Sequence, residues 1–201
     1  KILKKRFEGK NDRNSSFMIW ATKYQTYNKK KYKNIFEKNN KKRFVVFAHC
    51  FFDNPNVFGK NFFCDFYEWI DYIGKKSIIY KNIDWYIKKH PGGQPGNNKI
   101  FQYFKNKYPR LKILPTKSLN SDLIKEGFDY ATTIYGNIGY ELAYHNIPLI
   151  YATSNNPTSN YNFNKQVKSF KEYDYYISNP QKIRLRYDKK KIAEYFISKF
   201  V

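Results

Sequence analysis

Cysteine and methionine are scarce in this sequence, which holds two Cys (Cys50 and Cys64) and one Met among 201 residues. Two cysteines exclude a disulfide framework, and no His, Cys or acidic residues cluster at the spacing of a metal site. A D-x-D pair of carboxylates is also absent. We therefore expect neither a metal nor another cofactor, and a reducing compartment such as the cytoplasm.

Long apolar runs and arginine are equally scarce. No apolar run approaches the ~20 residues of a membrane-spanning helix, and only six of the 38 basic residues are Arg. Surfaces that recognise phosphates or bases usually contain more Arg, whose planar guanidinium binds these groups bidentately, so the net charge of +22 does not predict a nucleic-acid partner. The charge favours attraction to an anionic membrane surface instead.

Aromatic residues are abundant, at 20%, and exclude a disordered chain despite a mean hydropathy of -0.80. The length fits one domain with a substantial core. Residues 1–43 carry 15 basic and 3 acidic side chains, and we interpret them as a basic lead-in with a helix over residues 24–38. Residues 44–201 form the predicted folded domain. Because the chain begins at Lys1 rather than Met, we expect a piece of a longer protein.

From residue 44 onward, short apolar runs alternate with amphipathic segments. The apolar runs predict strands at residues 44–48, 83–88, 111–114, 130–134, 148–151 and 174–178. Helical spacing predicts helices at residues 62–73, 99–107, 121–126, 140–144 and 192–200. Gly74 is the expected end of the first helix and Ser118 the expected N-cap of the third. This alternation is typical of an α/β protein with a Rossmann-like, doubly wound parallel sheet.

Ligands of such sheets bind in the crevice beyond the carboxyl ends of the strands. Five loops should line it, at residues 49–59, 90–98, 115–118, 135–139 and 152–160. Ser118 closes the third of these loops and is a candidate binding residue. Two other loops carry more unusual chemistry.

The first unusual loop follows the strand that ends with Lys88. Lys89, His90 and Pro91 come next, and two glycines follow. We expect His90 to end the buried strand, where its ring can donate a hydrogen bond to a phosphate oxygen, while the Pro and glycines leave room beside the backbone. The alternative is an ordinary loop histidine whose hydrogen bonds are made within the protein.

The second unusual loop contains Gly136 and Gly139, between a strand and a helix. Backbone N–H groups at the start of a helix can face an anion, although the same spacing also fits a tight structural turn. Glu141 lies in the first helical turn, where it either caps the helix or accepts hydrogen bonds from ribose hydroxyls. The spacing leaves both alternatives open.

Together these segments resemble the C-terminal half of GT-B glycosyltransferases, in particular bacterial capsule and surface-polysaccharide biosynthesis proteins. The resemblance covers about residues 44–155 and rests on the order of its motifs. These are residues 90–91 (His-Pro), 121–124 (Ser-Asp-Leu-Ile), 128–133 (Phe-Asp-Tyr-Ala-Thr-Thr), 135–141 (Tyr-Gly-Asn-Ile-Gly-Tyr-Glu) and 147–150 (Ile-Pro-Leu-Ile). Polysialyltransferases, Kdo transferases and teichoic-acid polymerases share the same signatures.

The resemblance implies a site for a nucleotide-sugar donor linked to CMP, UDP or GDP. His90 would contact the donor phosphates, together with Pro91 and the basic side chain of Lys88. The turn formed by Tyr135, Gly136, Asn137 and Gly139 would cradle the phosphate or nucleotide, and Glu141 would hold the ribose. His49 and Asp53 would face the acceptor or the sugar as the candidate catalytic residues.

GT-B enzymes have two Rossmann-like domains, and this chain matches only the donor-binding one. The resemblance therefore implies a missing N-terminal domain that binds a saccharide or lipid-linked acceptor at the cytoplasmic face of the inner membrane. Two other functions stay open. One is a sugar-nucleotide epimerase of the same fold, and the other is a non-catalytic module that binds polyanions through its lysines.

Overall fold

The computed structural model describes residues 32–52, 59–90, 96–116 and 118–200. Five strands and six α-helices alternate through these segments, and a 3-10 helix spans Pro180–Lys182. The strands are β1 (Lys42–Phe47), β2 (Ile83–Lys88), β3 (Leu111–Ile113), β4 (Tyr130–Thr133) and β5 (Leu149–Tyr151). The helices are α1 (Phe66–Ile79), α2 (Asn97–Lys107), α3 (Asn120–Glu126), α4 (Ile138–Tyr144), α5 (Phe170–Ser178) and α6 (Lys189–Phe200).

All five strands are parallel and lie in the order β3-β2-β1-β4-β5. β1 pairs with β2 along its whole length, from Lys42 opposite Ile83 to Phe47 opposite Lys88. On its other side, Phe44 lies opposite Tyr130 of β4. This order confirms the predicted α/β class with a Rossmann-like, doubly wound sheet.

One face of the sheet packs against α1, α2 and α5. Phe44 and Val46 of β1 and Trp85 and Ile87 of β2 point to this face, as the two-residue period of a strand requires. The helices bury their apolar stripes on them, through Trp69, Ile70, Ile73, Phe101, Phe104, Tyr173 and Ile177. Tyr173 also accepts a hydrogen bond from Trp69 Nε1 at 2.9 Å, which joins α5 to α1.

The opposite face packs against α3 and α4. Val45, Tyr86 and Leu149 point to this side, where they contact Leu123 of α3 and Leu142 of α4. The outermost helix, α6, packs on α4 through a smaller core of Tyr140, Ala143, Phe163, Ile192, Tyr195 and Phe196. Among the residues that the structure describes, no helix combines the length and apolarity needed to cross a bilayer.

The segment before β1 packs on the domain without forming a helix. Of the predicted helix over residues 24–38, residues 24–31 lie outside the described residues, and residues 32–38 are not helical. The backbone N–H groups of Ile35 and Phe36 instead donate to the Glu126 carboxylate, at 2.8 and 3.3 Å. The Phe36 ring is buried and meets Tyr86 edge-on at 4.9 Å. The division of the chain at residue 43 stays a prediction.

Two further expectations about elements are wrong. Gly74 does not end the first helix, since α1 continues to Ile79. The glycine is required for close packing instead, because a Cβ at this position would lie 2.1 Å from the Tyr108 ring. Residues 174–178 belong to helix α5 rather than to a strand. Ser169 caps this helix by accepting a hydrogen bond from the Glu172 N–H at 3.2 Å.

Candidate functional site

The candidate site lies where the chain reverses its direction of travel across the sheet. From β1 the chain proceeds to β2 and β3 on one side, and it later returns to β4 and β5 on the other. The helix after β1 packs on one face and the helix after β4 on the opposite face. The crevice beyond the carboxyl ends of β1 and β4 is therefore the topological switch point of this sheet.

His49 and Tyr135 meet at this switch point. The His49 ring stacks on Phe66 of α1 with 5.0 Å between centroids, and its Nε2 atom lies 2.7 Å from the Tyr135 carbonyl oxygen. The Tyr135 backbone nitrogen is 3.2 Å from the same atom, which would require the other tautomer. The shorter contact decides our assignment: Nε2–H donates to the carbonyl. The lone pair is then on Nδ1, the atom that a general base would use.

The Gly136–Gly139 turn is held from beneath by Tyr151. Gly136 has a φ of 121°, which favours glycine, and its carbonyl accepts a hydrogen bond from the Tyr151 hydroxyl at 3.0 Å. At Gly139 a Cβ would lie 2.0 Å from this hydroxyl and 2.7 Å from Asn164 Nδ2. The buried Tyr151 therefore accounts for Gly139 by close packing, while the turn itself opens at the carboxyl edge of β4.

Lys88, the last residue of β2, is buried although it carries an amino group. Its Nζ donates to the Thr116 carbonyl in the loop after β3, at 2.9 Å. Burial, and to a smaller extent the neighbouring Lys89 charge, lowers the pKa of Lys88 to about 8. A cation beneath the edge of the sheet stabilises an anion bound above it more strongly than an exposed cation would.

Ser118 does not cap helix α3, contrary to the sequence-based expectation. The helix begins at Asn120, and the Asp122 carboxylate accepts from the Leu119 N–H at 3.4 Å. The Ser118 hydroxyl instead donates to the Pro115 carbonyl at 2.7 Å. This bond closes the loop whose Thr116 carbonyl binds Lys88.

Glu141 lies half-buried in the first turn of α4, as expected, and it is tied to α3. Its carboxylate accepts a hydrogen bond from Asn120 Nδ2 at 3.3 Å. Asn137 occupies the N-cap position of α4 with helical dihedral angles, and its side chain makes no capping hydrogen bond. Glu141 therefore presents its carboxylate toward α3 and the loop that carries Ser118.

Of the remaining predicted site residues, His90 lies within the described part of the chain. His90 is exposed and follows the end of β2 by two residues, so it stands beyond the strand and not at its last position. Asp53 and Pro91 lie outside the described residues, and the roles predicted for them stay predictions.

Five residues form what we call the edge cluster: Lys88, Thr116, Ser118, Asn120 and Glu141. Two contacts build it, Lys88 to Thr116 and Asn120 to Glu141, and the loop after β3 joins them. The edge cluster sets an ammonium group and a carboxylate on the face that holds α3 and α4, at the carboxyl edge of the sheet. Such a pair of charges can bind a ligand that carries both an anionic group and hydroxyl groups.

Sequence reasoning missed three residues that support this site. Asn120 opens a helix and resembles an ordinary helix-start residue, so nothing local marks it as a partner of Glu141. Thr116 acts through its backbone carbonyl, which carries no sequence signal. Tyr151 had an indirect signal, because a glycine within a helix (Gly139) indicates that a neighbouring group approaches closely.

The fold and the edge cluster define the class of this protein: an α/β domain with a Rossmann-like sheet and polar side chains at its switch point. No protein-family model and no curated protein sequence matches the chain.

Proposed function

We propose that this chain is the donor-binding domain of a GT-B glycosyltransferase, which transfers a sugar from a nucleotide-sugar to a surface (capsular) polysaccharide acceptor. The observation that carries the proposal is the edge cluster, where Lys88 and Glu141 are held on one face of the switch point. A nucleotide-sugar presents phosphates and ribose hydroxyls together, and these two groups complement an ammonium and a carboxylate. The motif resemblance supports the same assignment.

The proposed reaction is a displacement at the anomeric carbon of the sugar. The acceptor oxygen forms a bond to this carbon as the bond to the nucleotide phosphate breaks, and the phosphate oxygen keeps the electron pair. The proton of the acceptor hydroxyl passes to a general base. His90, the backbone N–H groups after Gly136 and the buried Lys88 charge would offset the negative charge that develops on the leaving phosphate.

His49 is the described candidate for contact with the acceptor or the sugar. Its Nε2–H donates to the Tyr135 carbonyl at 2.7 Å, which orients the ring at the switch point. In GT-B enzymes a second domain binds the acceptor, and the proposal therefore assigns donor binding alone to this chain. It places the protein in the cytoplasm, at the inner face of the membrane where lipid-linked acceptors are found.

Calorimetric titration with CMP, CDP, UDP and GDP tests the proposal at moderate salt. We expect one nucleotide to bind, and His90→Ala, Asn120→Ala and Glu141→Ala each to weaken it by about tenfold or more, because each removes a hydrogen bond that involves a charged group. Matched controls exist on the same chain. His145 lies at the opposite end of α4 and Glu194 is exposed on α6, so His145→Ala and Glu194→Ala should leave the affinity unchanged.

Two outcomes would contradict the proposal. If all four nucleotides bind alike and salt abolishes the binding, the interaction is attraction between phosphates and a basic surface. If the control variants lose as much affinity as the edge-cluster variants, the nucleotide does not bind at the edge cluster.

A further inference from the structure

The segment from the 3-10 helix to the first turn of α6 carries the densest group of cations in the described part of the chain. Six of the ten residues 182–191 are basic, compared with 38 of 201 in the whole chain. We call these six side chains the cationic strip: Lys182, Arg184, Arg186, Lys189, Lys190 and Lys191. All six are exposed.

Alternation explains why Arg184 and Arg186 are exposed. Between the 3-10 helix and α6 the chain is not helical, and inward and outward residues alternate along it. Ile183 is buried and Leu185 packs against the core on the face of α1, while Tyr187 packs against the small core beneath α6. The basic residues between them therefore point to solvent.

One acidic residue, Asp188, lies among the residues of the strip, and its carboxylate is hydrogen-bonded to the backbone. The Asp188 carboxylate accepts hydrogen bonds from the Lys190 and Lys191 backbone N–H groups, at 2.8 and 3.4 Å. Elsewhere in the described chain several lysines have carboxylate partners, such as Lys42 with Asp129 and Lys76 with Asp174. Within the same part of the chain no ion pair joins a carboxylate to the strip.

The strip runs along the amino-terminal edge of the sheet, opposite the candidate site. The Lys189 ammonium lies 5.3 Å from the centre of the Tyr144 ring, at the last residue of α4. Burial and the Asp129 charge raise the pKa of Tyr130, which begins β4, and the Lys42 and Arg184 charges partly offset this rise. The nucleotide and the partner of the strip would therefore bind at opposite edges of the sheet, without competing.

The first turn of α6 places three lysines beside a single carboxylate, that of Asp188, which caps the helix. It carries Lys189, Lys190 and Lys191 and no acidic residue, at the end of the helix where the dipole is positive. The first turns of α1, α3, α4 and α5 each contain an acidic residue, whereas those of α2 and α6 contain none. An anionic surface facing this edge would relieve the repulsion among the three lysines.

We propose that the cationic strip docks the protein onto the anionic surface of a lipid bilayer. Clusters of four to eight basic residues bind such surfaces through summed electrostatic attraction. Nucleic acid fits less well, because single strands are bound by stacking on exposed aromatic rings. Tyr187, the aromatic residue within the strip, packs inward instead. The strip is independent of the proposed function, since it lies apart from the edge cluster.

Vesicle co-sedimentation tests this docking surface in the 201-residue chain. The variant Arg186→Gln/Lys190→Gln/Lys191→Gln removes three exposed charges and spares Arg184 and Lys189, which also contact Gln181 and Tyr144. On vesicles of phosphatidylcholine mixed with phosphatidylglycerol, each lost cation should weaken binding about fivefold, and the three together on the order of a hundredfold. Vesicles of phosphatidylcholine alone should bind neither protein appreciably.

The matched control is Lys105→Gln/Lys168→Gln/Lys171→Gln, which removes the same charge from exposed positions outside the strip. We expect this control to weaken vesicle binding only a few-fold through the lower net charge. Equal losses in the two triple variants would overturn the proposal in favour of unlocalised charge. So would unchanged vesicle binding by the strip variant, or a loss confined to a short DNA duplex. Nucleotide titration of the same variants tests the donor site separately, because the strip lies apart from the edge cluster and its substitutions should leave nucleotide affinity unchanged.

Discussion

Lys88 places an ammonium group in the interior at the end of β2. Burial lowers its pKa to about 8, from 10.5 in the unfolded chain. Between these two pH values the unfolded chain binds a proton at Lys88 that the folded protein lacks. The Lys88 contribution to the free energy of unfolding therefore rises as the pH increases through this window, and below pH 8 its buried charge destabilises the fold.

Lys88→Met should accordingly stabilise the protein at neutral pH. Met fills a similar volume without a charge, and it gives up the hydrogen bond to Thr116. We expect the free energy of unfolding to rise by roughly 1–2 kcal/mol near pH 7 and the difference to shrink toward pH 10. Urea unfolding at both pH values measures this, and nucleotide affinity should fall in the same variant.

The control for this substitution is Lys81→Met, at an exposed position before β2. It should leave both the stability and its pH dependence unchanged within about 0.5 kcal/mol. A Lys88→Met variant whose unfolding follows the same pH dependence as the parent protein would mean that Lys88 keeps its charge in the folded state.

Single residues of the site were only partly predictable. The spacing from Gly136 to Gly139 predicted a turn between a strand and a helix, and such a turn is present. The reason for Gly139 depends on Tyr151, twelve residues away, whose hydroxyl leaves no space for a Cβ. Hydrogen bonds between distant residues, such as Asn120 with Glu141, follow from how the helices pack, and no local pattern encodes them.

At the scale of elements, helix α5 shows where a prediction from local sequence composition fails. Residues 174–178 contain two tyrosines and an isoleucine, a composition typical of strands, and this predicted a strand. The pattern Ser169-x-x-Glu172 starts a helix five residues earlier and outweighs that composition. Glu172 completes the start of the helix by accepting from the Lys168 N–H at 2.9 Å.

Ser169→Ala tests how much this cap contributes. Removing the hydroxyl leaves the Glu172 N–H without its partner, so the free energy of unfolding should fall by about 1 kcal/mol in urea. Ser169→Asp, which can accept the same hydrogen bond, should retain most of the stability. Ser198→Ala in α6 serves as the comparison, since that hydroxyl is exposed and bonds only the preceding turn. Equal stability of the Ser169→Ala and parent proteins would show that packing alone starts α5.

At the scale of the whole molecule, alternating strands and helices were sufficient to predict the parallel sheet. The rule that ligands bind beyond the carboxyl ends of the strands then selected the loop that ends with Ser118 and the loops next to Lys88 and Glu141. The strand order β3-β2-β1-β4-β5 depends on long-range pairing, and so does the meeting of His49 with Tyr135 at the switch point. The sequence predicted the edge of the sheet, and the fold determines which side chains meet there.

The charge of the whole molecule leads to a last prediction. With 38 basic and 16 acidic residues, repulsion among cations outweighs the exposed ion pairs, each of which contributes little. Sodium chloride shortens the screening length from about 30 Å at 0.01 M to about 8 Å at 0.15 M. We therefore expect the melting temperature to rise by a few degrees over this range. Calorimetry measures it.

The variant Arg186→Gln/Lys190→Gln/Lys191→Gln tests whether the cations near the start of α6 cause this salt dependence. It removes cations from the first turn of α6 and its approach, where they repel one another and the helix dipole. At low salt this variant should melt above the parent protein, and its melting temperature should respond less to sodium chloride. A melting temperature that falls as salt is added would mean instead that ion pairs such as Lys42–Asp129 and Lys76–Asp174 outweigh the repulsion.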